Sequence, residues 1–284
     1  VADQDAQRPA LFVVATPIGN LEDITFRAVR VLREAAVIAA EDTRHTQRLL
    51  RHFEISTRVT SCHEHNEAER IPALLDELAA GRAVALVTDA GTPCISDPGY
   101  RLVRAVRAAG YPVVPIPGAC AAIAALSASG LPTDAFSFQG FFPRKRTQAS
   151  ALLEKLRDRV ETHIFFESPR RVAETLALIG ESMPTAEVTV ARELTKIHEQ
   201  FEQDHAAALV ERLEDFPARG EYVILVRPAP PAPPVLSSEV LRGAVDAAMA
   251  EEGLSRRDAI RAVAERFGVP RNTVYAAATG NSAS

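Results

Sequence analysis

Short apolar runs alternate with helix-patterned segments through the first part of the chain, and this rhythm constrains the fold more than any other feature of the sequence. The runs are LFVVA (residues 11–15), AAVIAAE (35–41), AVALVT (83–88) and PVVPI (112–116). Strands separated by helices of about ten to fifteen residues pair in parallel, so the pattern predicts an α/β fold with a parallel sheet. The connecting segments carry their own punctuation. IPALLDELAAG places Pro72 near a helix start and Gly81 at its stop, and YRLVRAVRAAG stops at Gly110.

The texture changes after residue 131. AFSFQGFFP leads to a helix expected over 147–160, THIFFE reads as a strand, and SPRRVAETLALIG reads as a helix with Ser168 as N-cap and Pro169 in the first helical position. EVTVARE and GEYVILV add two strands, giving a second, mixed-sheet α/β domain. PAPPAPP then forms a stiff extended linker. Beyond it, Ser255 and Asp258 form a capping-box variant ahead of apolar Ile260, Val263 and Phe267, with a turn at Gly268 and Pro270 opening another helix. That pair resembles a helix-turn-helix. The expected organisation is a disordered tail (1–10), a parallel-sheet domain (11–131), a mixed-sheet domain (132–227), a linker (228–234) and a small helical appendage (235–284).

Composition narrows the classes. With 284 residues, 47% of them hydrophobic, the chain can bury a substantial core. It contains no run of eighteen apolar residues and its first ten residues do not read as a signal peptide, so the expectation is a cytoplasmic protein without a membrane span. Cys62, Cys94 and Cys120 are too far apart for a C-x-x-C site. The net charge of −5 excludes bulk electrostatic coating of nucleic acid, yet the arginine-rich stretch from Arg27 to Arg58 and the knot PRKR (143–146) are locally basic. Either could also be an ordinary solvated face.

Ligands of open α/β sheets sit beyond the carboxyl ends of the strands. There the chain carries ATPIGN, EDTR, DAGTPCISDPG and PGACA in turn. None is a G-x-G-x-x-G or Walker loop, so the phosphate cradles those motifs build are not expected. Gly91 and Gly99 permit unusual backbone conformations while Pro93 and Pro98 stiffen the loop between them, which suits a rigid wall of backbone groups. A tight structural turn uses the same residues, but four such loops at strand ends favour a ligand site.

Taken together, LFVVATPIGNLEDITFRAVRVLREA, AAEDTR, TDAGTPCISDPG, PGACA, GFFPRK, FFESPRR, ARELTKIHE and GEYVILV resemble the tetrapyrrole methylase superfamily, in its branch that modifies small-subunit ribosomal RNA. The resemblance spans about residues 11–226. It implies two α/β domains of the tetrapyrrole methylase type with S-adenosylmethionine in the cleft between them, methyl transfer to the ribose 2′-oxygen of a decoding-centre cytidine in 16S rRNA within the small ribosomal subunit, and a homodimer. Carried onto this sequence, the cofactor positions are Pro17; Gly91, Thr92, Pro93 and Ile95; Cys120 and Ala121; Phe166 and Glu167; Ala191; and Glu221 with Tyr222.

Methyl transfer to a ribose hydroxyl needs the oxygen held in line and relieved of its proton. Candidates at strand ends are Glu167, Arg192, Glu193 and Lys196, each of which could instead be an ion-pair partner. Arg144, Lys145 and Arg146, with Arg44, His63 and His65, are the RNA-facing candidates; Phe141 and Phe142 read better as core. CHEHNE (62–67) has metal-like residues but no distant second pair, so no metal is expected. Two other readings are a tetrapyrrole-precursor methylase using the same cleft and a nucleic-acid-binding regulator built on the C-terminal helices, whose arginines and acids balance.

Overall fold

The computed structural model describes residues 9–212, 217–229 and 236–279, which fall into two compact units, 1–229 and 230–284. Most of the expected tail (1–8) and residues 230–234 of the expected linker lie outside the described residues.

The first unit holds two sheets. The first runs β1 (Leu11–Val14), β2 (Val37–Ala40), β3 (Val59–Ser61), β4 (Val84–Val87) and β5 (Val113–Ile116) in the spatial order β3-β2-β4-β1-β5, every pair parallel. Its helices are α1 (Phe26–Glu34), α2 (Thr43–His52), α3 (Glu67–Ala79) and α4 (Tyr100–Ala108). The period of two along each strand sorts the faces: Phe12, Val14, Ile38 and Ala85 pack under α1 and α2, whereas Leu11, Val37, Val84 and Leu86 pack under α3 and α4. Covered on both sides, β2 and β4 are buried at every residue.

The order of the strands locates a crevice. From β1 the chain crosses toward β2 on one side, and from β4 it crosses toward β5 on the other, so the two adjacent strands send their loops in opposite directions. Right-handed crossovers then place α1 and α4 on opposite faces, leaving a gap above the ends of β1 and β4.

The second sheet is mixed. It comprises β6 (Phe136–Phe141), β7 (Thr162–Glu167), β8 (Glu187–Arg192), β9 (Gln200–His205) and β10 (Tyr222–Arg227) in the order β6-β7-β10-β8-β9, with only the β6–β7 pair parallel. One face is covered by α6 (Arg146–Leu156), α7 (Val172–Ser182) and α8 (Ala206–Glu211) around Phe142, Phe165 and Ile224. The other receives α5 (Ala121–Ala128), which follows β5, so that Ala122, Ala125 and Leu126 pack on Ile164, Val223 and Leu225. Ile18, from the loop after β1, joins the same cluster.

Helix α6 ends at Leu156, short of the expected 160, and two further helices differ from expectation, each for a local reason. Helix α3 starts a turn earlier, leaving Pro72 inside it at the loss of one helical hydrogen bond. Its first residue, Glu67, is buried and accepts the Leu102 N–H at 2.8 Å, which fixes the extra turn. Helix α7 starts at Val172, not at Pro169. The Glu167 carboxylate takes the Ser168 N–H at 2.7 Å and the Thr175 hydroxyl at 2.6 Å, holding residues 168–171 in a separate turn. Strands β3 and β9 were not anticipated.

The second unit packs α9 (Ser238–Glu251), also unanticipated, with α10 (Arg256–Phe267) and α11 (Arg271–Thr279) around Leu241, Val245, Ile260, Val263 and Val274. Ser255 caps α10, accepting from the Asp258 N–H and donating to its carboxylate at 2.6 Å, and Gly268 ends the helix at φ +62°.

Because Thr175 supplies a buried hydroxyl to a carboxylate, Thr175→Val should lower stability by about 1–3 kcal/mol in urea unfolding. Thr175→Ser should recover most of that loss, and equal midpoints for the valine variant and the parent would contradict it.

Candidate functional site

The loops after β1, β4 and β5 are stitched together through backbone. Thr16 and Gly91 exchange reciprocal N–H to carbonyl hydrogen bonds of 2.9 and 3.1 Å. The Thr16 hydroxyl donates to Thr88 O at 3.2 Å, and the Thr92 hydroxyl to Ala119 O at 3.0 Å. Within the β4 loop, Gly91, Cys94, Ser96 and Gly99 all have positive φ, at 86°, 72°, 64° and 121°. Two non-glycine residues in that region within three positions is strain of the kind that gathers at ligand sites. Gly91 has a further constraint, since a Cβ there would stand 3.3 Å from Ile18 Cγ2.

Opposite these loops stand the ends of the second sheet. Phe166 lies edge-on to Phe138 and Phe141, with ring centroids 4.9 and 5.7 Å apart. Between the two sheets is a cavity of about 330 Å³, within the range of small-molecule sites. Gly91, Thr92, Ile95, Cys120, Ala121, Phe166, Glu167, Glu221 and Tyr222 all line it, so most of the expected cofactor positions converge. Pro17 lines an adjoining cavity with Lys196 and Glu221. Pro93 is buried in the loop, and Ala191 packs in the apolar cluster with Ile18 and Val223, so these two support the wall from behind.

The lining also contains residues that sequence reasoning did not single out: Ile18, Leu194 and three carboxylates, Glu41, Asp89 and Asp97. It corrects one reading: Phe142 is core, but Phe141, on the opposite face of β6, is exposed and lines the cavity. The carboxylates lay within quoted motifs, but nothing in the sequence indicated that they meet. Glu41 accepts the Thr88 hydroxyl at 2.6 Å, and Asp89 accepts the Asp42 N–H at 3.1 Å. Burial, with the neighbouring Glu41 and Asp89 charges, pushes Asp97 up to about 6. Burial likewise raises Asp89. Glu167 and Glu221 also line the cavity but are paired with Arg171 and Lys196, so the uncompensated charge comes from Glu41, Asp89 and Asp97; among the described residues lining it none is a lysine or arginine. Such a lining repels phosphates and favours a ligand carrying positive charge. S-adenosylmethionine, whose sulfonium and ammonium groups are cationic and whose adenine and ribose suit the Ile95, Phe141 and Phe166 surfaces, fits it.

The four catalytic candidates are placed differently. Glu167 edges the cavity with its carboxylate held by Ser168, Thr175 and, at 3.3 Å, Arg171. Arg192 is directed at Arg219 O and the Gln200 side chain, away from the cavity. Glu193, at φ +50°, accepts the Lys196 ammonium at 2.9 Å and the Glu221 N–H at 3.0 Å. Lys196 also donates to Glu221 Oε2 at 3.0 Å, and its chain lies across Gly19, where a Cβ would fall 2.5 Å from Lys196 Cγ. Burial pulls the Lys196 pKa down, but the bonds to Glu193 and Glu221 outweigh it and hold it above the usual value.

Among the RNA-facing candidates, His63 and His65 line a third cavity and their rings meet edge-on at 6.1 Å. Arg44 is exposed at the start of α2, 3.5 Å from Asp42. Arg144 and Lys145 are exposed in the turn before α6, whereas Arg146 is paired with Glu181 at 2.7 Å.

Residues 10–210 match the family model described as Tetrapyrrole (Corrin/Porphyrin) Methylases. The chain is 47% identical over 274 residues to "Ribosomal RNA small subunit methyltransferase I" of Pseudomonas aeruginosa, covering 93% of this chain and 95% of that one. It is 43% identical over 277 residues to the protein of the same name from Halalkalibacterium halodurans, covering 96% and 95%. Among solved structures, a Thermus thermophilus uroporphyrin-III C-methyltransferase complexed with S-adenyl homocysteine aligns with a TM-score of 0.52 at 18% identity, over 77% of this chain and 97% of that one.

Gly91→Val adds a branched side chain to the cavity wall at a φ of +86°. It should weaken S-adenosylmethionine binding by at least about tenfold in calorimetry while circular dichroism shows the fold retained. Parental affinity in a folded Gly91→Val protein would place the ligand elsewhere.

Proposed function

The chain belongs to the tetrapyrrole methylase family, alongside its ribosomal RNA small subunit methyltransferase I relatives, and on that premise we propose that it methylates small-subunit ribosomal RNA at the ribose 2′-oxygen of a decoding-centre cytidine. The observation that carries the reading is the cavity between the two sheets, edged by Glu41, Asp89 and Asp97, lined by no lysine or arginine among the described residues, and walled by the backbone of the β1, β4 and β5 loops. S-adenosylmethionine, when bound, supplies an electrophilic methyl group on a positively charged sulfur.

In this reading Gly91, Thr92, Ile95, Cys120 and Ala121 hold the cofactor from the first sheet, and Phe166, Glu167, Glu221 and Tyr222 from the second, with Pro17, Pro93 and Ala191 fixing the shape of the wall. The protein's task is to orient and desolvate, since a positioned hydroxyl recovers about 7–11 kcal/mol of barrier in favourable cases. Arg192 organises the β8 end, while Glu193 and Lys196 tie the β1 loop to the second sheet. Arg44, Arg144, Lys145 and Arg146 attract RNA phosphates, and His63 and His65 face the nucleic acid. The working form is a cytoplasmic homodimer acting on the small ribosomal subunit. Among the described residues no helix is long and apolar enough to cross a membrane.

A polycarboxylate tetrapyrrole precursor suits this acidic lining poorly. Offering labelled S-adenosylmethionine with either undermethylated small subunits or a tetrapyrrole precursor separates the readings. Label should enter the RNA and protect one phosphodiester bond from alkali; label in the precursor alone would refute the proposal. Reversing charge at the exposed pair, Arg144→Glu with Lys145→Glu, should weaken subunit binding by about tenfold or more and flatten its salt dependence. Unchanged affinity and slope would remove these residues from the RNA path.

A further inference from the structure

The cavity lined by His63 and His65 adjoins the cofactor cavity. It has a volume of about 590 Å³, and Glu41, Ser96 and Asp97 line both, so these three residues form the partition between them. Its far side carries Tyr100, 64% exposed at the first residue of α4, together with Arg101 and the two histidines. An exposed tyrosine next to a histidine pair is a platform for an unstacked base. The floor is fixed: buried Glu67 accepts the Leu102 N–H at 2.8 Å and so takes up one of the free donors of the α4 N-terminus. With Glu41, Glu64, Glu67 and Asp97 around it, the cavity suits an uncharged nucleoside face better than a phosphate.

Resting on the function proposed above, we infer that this histidine-lined cavity receives the target nucleoside, its base against Tyr100 and His63, and that the Asp97 carboxylate on the partition accepts the proton of the ribose 2′-hydroxyl.

Asp97 differs from its neighbours in what compensates its charge. The Thr88 hydroxyl lies against both Glu41 and Asp97, but a hydroxyl has one proton, and it is given to Glu41 at 2.6 Å. Asp89 has the Asp42 N–H. Asp97 is left partly buried beside two carboxylates, and burial first, then the Glu41 and Asp89 charges, push its pKa up to about 6, which suits a general base near neutral pH. The charged and titratable groups facing it are Glu41 from the end of β2, Asp89 and Cys94 from its own loop, Glu167, Glu221 and Tyr222 across the cofactor cavity, and His63, His65, Glu64, Glu67, Tyr100 and Arg101 around the histidine-lined cavity. The step balances: the O–H bond breaks with its proton going to Asp97, the oxygen electron pair forms the bond to the methyl carbon, and the carbon–sulfur bond breaks with its pair left on sulfur. Asp97 then returns the proton to water.

Two kinds of readout test the inference. Without methyl donor, Tyr100→Ala and His63→Ala should each weaken binding of undermethylated small subunits by roughly tenfold, while calorimetry shows S-adenosylmethionine binding at parental strength. Asp97→Asn, which removes one of the charges facing the cationic cofactor, should bind S-adenosylmethionine more weakly but still saturate with it, bind the subunit as the parent does, and at saturating donor lose on the order of 10²–10⁴-fold in single-turnover methylation. The parental single-turnover rate should fall tenfold per pH unit once the solution is acid enough to protonate Asp97, with the midpoint below the ligand-free value of about 6 because the bound sulfonium favours the carboxylate, which is the active form. In ¹³C-aspartate-labelled protein free of ligands, one carboxyl resonance should titrate near that pH and be missing from Asp97→Asn. A parent that methylates small subunits while Asp97→Asn matches its rate, or while Tyr100→Ala binds subunits as the parent does, would overturn this inference and leave the proposed function standing. A parent that transfers no methyl group to the subunit would overturn both.

Discussion

The structure depends on one reciprocal contact, the pair of backbone hydrogen bonds between Thr16 and Gly91. Adjacent parallel strands whose chains depart in opposite directions leave a gap at their carboxyl ends, and a gap lined by loops has no intrinsic rigidity. Joining the two loops by both donors and both acceptors turns the gap into a wall. The bond from the Thr16 hydroxyl to Thr88 O reinforces the join, and that from the Thr92 hydroxyl to Ala119 O extends the wall sideways to the β5 loop. The positive φ values at Gly91, Cys94, Ser96 and Gly99 are the conformational cost of making backbone do this, and the surrounding hydrogen bonds hold the strain in place.

The second sheet completes the cavity. Helix α5 and Ile18 reach from the first sheet into the apolar cluster around Val223 and Leu225, so the two walls share one packed seam. Above that seam the side chains are mainly carboxylate and aromatic. Gathering Glu41, Asp89 and Asp97 costs electrostatic energy that a cationic ligand would return, which is why the lining is informative about charge as well as about shape.

The parallel sheet was legible because β2 and β4, buried on both faces, read as continuous apolar runs. Strands β3 and β9 were not: VTS is three partly exposed residues and QFEQDH alternates almost entirely polar groups, as edge positions permit. The boundaries of α3 and α7 were missed because each is set by a buried carboxylate, Glu67 or Glu167, whose partners are tertiary or lie across a turn. The cap at Ser255 and the stop at Gly268 were legible because the interactions that make them are local. The same division runs through the site. The strand-end loops declared themselves by composition, whereas the meeting of Glu41 with Thr88, 47 residues apart, is a product of the β2–β4 pairing and has no trace in either motif alone.

Lys196 lies flat over Gly19 because the glycine has no side chain there, and Glu193 and Glu221 hold the ammonium in that position. A methyl group at residue 19 would strike the lysine chain along its length, 2.5 Å from Cγ and 2.9 Å from Cε, and would also press on Leu194 O at 3.1 Å. These two positions, far apart in the chain, therefore cannot drift independently over evolutionary time: a larger residue at 19 requires a shorter one at 196, and the two acids would then lose their shared counter-ion.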